Sequence, residues 1–209
     1  MAKIKSVIPA SALEQIRDRI GMVLKVEFAN QAALCAANTP PIPFDEPSVH
    51  IERYVSIDQQ EGSVIVVRVN DGQYSNKDQK DVTGNYEFFI DCYAYSEQVG
   101  EDAAYYLSSV KMERLVMLVR AILQDQGYRT LDFTPAQINI KDTNVTMIKI
   151  GTRTDLPDSL AETCGRVFFS VEANESVENK PSVPLVTSYN QFKIGENGLV
   201  GYLSLETTP

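Results

Sequence analysis

Tryptophan is missing from this 209-residue chain, and histidine occurs once, at His50. A Ser-His-Asp or Cys-His relay would have to use that single imidazole, and nothing around it suggests a paired nucleophile. The three cysteines, Cys35, Cys92 and Cys164, are odd in number and far apart. A disulfide framework uses a dense, even set and a zinc site uses close pairs, so three reduced, buried thiols are expected instead. No apolar run approaches the ~20 residues of a membrane helix. The opening MAKIKSVIPASALEQIRDR is broken by Pro9 and then by charges, which does not fit a secretory signal, and synthesis in the cytoplasm is expected. Basic clusters are scarce as well: 28 acids face 19 bases, for a net charge of −9. Affinity for DNA grows from Lys and Arg releasing counterions from phosphates, so this balance argues against nucleic-acid binding.

Motifs that would carry chemistry are equally thin. GENGLVG is glycine-rich, but it has neither the Lys-Ser/Thr ending of a phosphate loop nor G-x-G-x-x-G spacing. DGQYSNKDQKD has oxygen donors, but it lacks the acidic order and closing Glu of a calcium loop, and Lys77 and Lys80 would repel a divalent ion. No cofactor and no metal are expected. Carboxylate pairs cannot be identified by spacing alone, so an enzyme working through clustered acids stays open without positive support.

What is present is an ordinary globular composition, 44% hydrophobic and 22% charged. A chain of this length buries roughly 70% of its unfolded surface, enough for a core without staples. Ser11 followed by Glu14 forms a capping box, behind which Leu13, Ile16, Ile20, Val23, Leu24 and Phe28 recur at helical spacing. That helix continues through the alanines to about Ala37, where Pro40, Pro41, Pro43 and Pro47 end it. SVHIERYVSI, SVIVVRVN and NYEFFIDCYAYS read as strands, the second and third joined by the long polar stretch NDGQYSNKDQKDVTG. Aromatics on both sides of the third strand predict cover on both faces. A second, strongly apolar helix spans EDAAYYLSSVKMERLVMLVRAILQDQGY, wider in its apolar face than a lone surface helix needs. AQINIKDTNVTMIKIGT and CGRVFFSVEAN give further strands, the first either a single strand or a bent pair. After the linker ESVENKPSVP, a terminal hairpin is expected over Leu185 to Glu206. The fold class is therefore α+β, a mostly antiparallel sheet flanked by two long helices with a C-terminal β-hairpin extension. The expected division is a domain over 1–178 and a linker with hairpin over 179–209.

This order, and above all FFIDCYAYSEQVGEDAAYYL, resembles the tail terminator proteins of tailed bacteriophages, also called tail completion or tail-to-head joining proteins. There an aromatic-x-Ile-Asp/Glu-x-aromatic strand feeds a helix of small residues and carboxylates. The resemblance covers about Ala10 to Ala173 and leaves the C-terminal hairpin outside it. It implies a structural virion protein at the tail–neck junction, not an enzyme: a homo-oligomeric ring, usually a hexamer, that caps the tail tube and stops its growth. The implied partners are the tail tube protein, a neck or connector protein and, where the tail is contractile, the tail sheath. DNA would pass through the hole without specific binding, and no membrane is involved. Within that expectation Asp71, Tyr74, Lys77, Asp78, Lys80 and Asp81 form a candidate loop for a partner or the lumen. Phe89, Tyr93, Met112 and Val116 are candidate subunit contacts. The alternatives are a neck or head-completion protein of the same virion and, from other classes, a small cytoplasmic enzyme or an adaptor domain binding through its terminal hairpin.

Overall fold

A computed structural model describes residues 10–53, 62–76, 81–97, 103–134, 138–153 and 160–176, all within one compact unit that ends at Ser176. The expected terminal hairpin lies outside the described residues. Among the described residues two α-helices, α1 (Ala12–Ala37) and α2 (Ala104–Leu123), accompany five strands: β1 (Ser48–Ile51), β2 (Val64–Asn76), β3 (Asp81–Glu97), β4 (Asn139–Arg153) and β5 (Leu160–Ser176). The fold is α+β with a mixed sheet in the order β1-β2-β3-β5-β4. Only β1 and β2 run parallel; the other neighbours are antiparallel.

The N-terminus of α1 is set by the capping box. The Ser11 amide donates to Glu14 Oε2 at 2.8 Å, and Ser11 Oγ accepts from the Glu14 amide at 3.3 Å. The bond from the Ser11 amide, followed by a 2.8 Å bond that Ser11 Oγ donates to Glu14 Oε2, lowers the Glu14 pKa. Ile16, Ile20, Leu24 and Phe28 then fall on one buried row facing the sheet. Gly21 lets β1 come close to this helix, since a Cβ there would sit 3.0 Å from the Ile51 side chain. By length and composition α1 is apolar enough to cross a membrane, contrary to the expectation from its sequence, because its alanines add to the apolar count. Its buried row packs in the core, as in a helix of a globular domain.

The core lies between the helices and one face of the sheet. Ile65 and Val67 of β2, Tyr86, Phe88, Ile90, Cys92 and Ala94 of β3, and Val167, Phe169, Val171 and Ala173 of β5 all point into it. From α2 come Met112, Leu115, Val116, Val119, Ile122 and Leu123. Each large side chain contributes roughly 1.5–3 kcal/mol by leaving water. Gly165 lets α2 approach closely, because a Cβ there would meet Met112 Sδ and Val116 Cγ1, each at 2.7 Å. Burial pushes the Cys92 thiol far above its ordinary pKa, so it is a packing group. Both helices share this one face, and no described helix lies on the other.

Two expectations change here. The polar stretch between the second and third strands is mostly ladder, because β2 and β3 stay paired out to Asn76 and Val82. β5 supports this arm from the other side, pairing with β3 along its whole length from Asp81 to Glu97. Backbone hydrogen bonds hold polar strands as readily as apolar ones. The strand after α2 is also one element, carrying irregularities at Ile140/Asp142 and Val145/Met147 instead of dividing into a bent pair.

Candidate interaction surface

The sheet face away from the helices follows from the period of two along each strand. On β3 the residues Asn85, Glu87, Phe89, Asp91 and Tyr93 turn to it, against the core series from Tyr86 to Ala94. The register then places Arg68, Phe89, Phe168 and Met147 in one row across β2, β3, β5 and β4. The next row holds Val66, Asp91, Arg166 and Lys149.

At the centre stands Asp91, its side chain only 4% exposed. Its carboxylate accepts from Arg166 Nε at 2.5 Å and Nη2 at 3.0 Å, and Arg68 Nη1 lies 3.3 Å away. Hydrogen bonding to Asp91 raises the Arg166 pKa further. A buried carboxylate is costly unless it is paired and hydrogen-bonded, and here two guanidiniums meet that condition. Arg68 is itself anchored, donating from Nη2 to the Arg53 carbonyl at 2.8 Å.

Aromatic rings carry the cations outward. The Arg166 guanidinium lies 4.2 Å from the Phe89 ring centroid. Phe89 meets Phe168 edge-on, at 5.0 Å and 74°. Lys149 Nζ sits 5.3 Å from the Phe168 centroid. Such contacts add roughly 0.5–1.5 kcal/mol each and fix the geometry. The result is a rigid aromatic–cation platform, partly open to solvent.

Farther along the strands the same face turns acidic. One row holds Asp71, Glu87, Ser170 and Asn144; the next holds Gln73, Asn85, Glu172 and Asp142. Glu87 accepts from Asn70 Nδ2 at 3.0 Å, and Lys141 reaches Glu172 at 3.7 Å. The face thus carries three cations around one carboxylate at its middle, and four carboxylates with one lysine at its end.

Of the ten residues singled out in the sequence, the structure groups two on this platform. Phe89 and Tyr93 are half-buried on the open face, and burial, followed by the nearby Asp91 charge, raises the Tyr93 pKa. Met112 and Val116, expected at a subunit contact, are instead enclosed in the core beneath β5, where a side chain cannot reach a second subunit. Asp71 and Tyr74 lie on β2 and Asp81 begins β3. Tyr74 is exposed and packs edge-on against Tyr86 at 5.8 Å. Lys77, Asp78 and Lys80 lie outside the described residues. Sequence reasoning missed Arg68, Asp91, Arg166, Phe168 and Lys149 as a group. The available signal was the alternation of β3 and β5, whose outward residues are charged and aromatic in turn.

Elsewhere, a groove of about 420 Å³ is lined by Phe28, Phe44, Val110, Arg114 and Leu118, among others, and is mainly apolar. His50 lies on β1 with its Nε2 3.1 Å from Arg53 Nη1, a structural setting for the one imidazole. Among the described residues, no three His, Cys, Asp or Glu side chains gather to hold a metal. No protein-family model matches the chain, and no curated protein matches it either.

Proposed function

We infer that the chain is a structural subunit of a phage tail terminator, assembled as a ring, a hexamer by the habit of that family. The ring would cap the tail tube at the tail–neck junction and give the neck its docking surface. The observation that carries this reading is the β3–α2 unit. Phe88-Phe89-Ile90-Asp91-Cys92-Tyr93 forms the central strand, with Ile90 in the core and Phe89 on the open face. The chain then enters α2 at Ala104. Ring closure needs surfaces left over after folding, and two are on hand: the aromatic–cation platform, and the exposed side of α2 with Tyr105, Tyr106, Val110 and Met117.

The arm of β2 and β3 reaches toward the tube. The net charge of −9 per chain, repeated around a ring, discourages DNA from adhering as it passes. The reading is tested by adding purified protein to tails from cells that make no heads. A terminator co-purifies with those tails, whereas a neck or head-completion protein stays with heads.

A further inference from the structure

The groove beside α2 joins an apolar bed to an unequal set of charges. On α2 its wall carries Val110, Lys111, Arg114 and Leu118, residues three and four apart that share one flank of the helix. Across from them stand Phe28 of α1 and the Pro43–Phe44–Asp45 segment that follows that helix. Phe28 and Phe44 stack at 6.4 Å and 28°. Phe28 is fully buried and forms the floor, while Val110 is exposed and Phe44 half-buried above it. The volume of about 420 Å³ falls within the ~300–1,000 Å³ of small-ligand sites. At the rim, Lys111 Nζ lies 4.0 Å from Asp45 Oδ2, an oxygen that also accepts from Ser63 Oγ at 2.9 Å. Lysine and acid balance each other there. Among the described residues no acid pairs with Arg114, so the groove keeps one unanswered positive charge.

We propose that this groove binds a small anionic amphiphile, an alkyl chain ending in a single carboxylate. The chain lies on Phe28, Phe44, Val110 and Leu118, and Arg114 takes the head. Along α2 the wall from Val110 to Leu118 runs ~12 Å, at a helical rise of ~1.5 Å per residue, which suits an extended chain. Apolar burial supplies the affinity, and the lone cation supplies the choice of sign. A guanidinium offers a carboxylate two parallel hydrogen bonds, which sets the orientation of the head as well as its charge. The Lys111–Asp45 pair closes the rim beside it without adding net charge, so one anionic head is the number that the groove neutralises.

The test is titration calorimetry of the full chain with decanoate, kept below the concentration at which it forms micelles. Decanoate should bind one per chain, and hexanoate at least tenfold more weakly because its tail is shorter. Decyltrimethylammonium, with the same tail and the opposite charge, should show no binding. Arg114→Glu, at an exposed position, should weaken decanoate at least tenfold, with Arg114→Lys falling between it and the wild type. Arg129→Glu, exposed outside the groove, should leave binding unchanged. A wild-type chain that ignores decanoate, equal binding of the ammonium, or unchanged binding in Arg114→Glu overturns the inference. So does uptake of an acidic amphipathic helical peptide with decanoate refused, which would make the groove a protein-docking site. Phe28, Phe44, Arg114 and Leu118 are not among the contacts named for ring closure, so each of these failures leaves the tail reading standing.

Discussion

Asp91 and Arg166 stand directly opposite each other on β3 and β5, and the arginine grips the carboxylate with two hydrogen bonds, at 2.5 and 3.0 Å. The pair is the hub of the open sheet face. It holds Arg166 between the Asp91 carboxylate and the Phe89 ring, so the guanidinium plane is fixed.

Asp91→Ala should therefore destabilise the fold by about 2–4 kcal/mol, because two arginines lose a buried partner. Arg166→Ala should cost less, since its side chain is 38% exposed and Arg68 remains beside the carboxylate. Urea denaturation followed by circular dichroism ranks the two, and equal losses would count against Asp91 as the hub.

Gly165→Ala probes the closest approach of helix to sheet. The added methyl meets Met112 Sδ and Val116 Cγ1, and overpacking of this kind costs about 1–3 kcal/mol. Adding Val116→Ala should recover part of that loss. A neutral Gly165→Ala would mean that α2 lies farther from β5 than the structure places it.

These two sites mark how far the sequence could be read. The capping box at Ser11 and Glu14, the rows of α1 and α2, and the alternation of β3 are local patterns, and each was legible. The Asp91–Arg166 pair joins residues 75 positions apart, and only the register of β3 against β5 brings them together. The arm from Asp71 to Asn76 read as loop because its residues are polar. Its order comes from backbone pairing, which leaves no hydrophobic period. Met112 and Val116 read as surplus apolar area because Gly165, the residue that lets them in, lies on a different strand.

Tyr128 donates its hydroxyl to Glu27, tying the turn after α2 back to α1. That bond, followed by burial, raises the phenol pKa from 10.0 to about 12. The folded state thus keeps the proton longer than the unfolded one. Its contribution is intact below pH 10 and is lost as the pH climbs toward 12. Tyr128→Phe should cost about 0.5–1.5 kcal/mol at neutral pH and flatten the alkaline decline in that window. Thermal melts of both proteins from pH 9 to 12 would show it, and parallel declines would contradict it.

Shortening the arm between Tyr74 and Lys80 should leave folding intact, because the core side chains of β2 and β3 lie beyond it. On the tail-terminator reading, attachment to tail tubes weakens. Unchanged attachment would remove the arm from the docking surface.

On the tail-terminator reading, the protein ends tail growth as a ring. The most direct test is to image tail tubes polymerised with and without the purified chain. With the chain present, tubes should stop growing, each bearing at its end a ring with a hole wide enough for DNA. Tubes of unchanged length with bare ends, beside free protein, would contradict it.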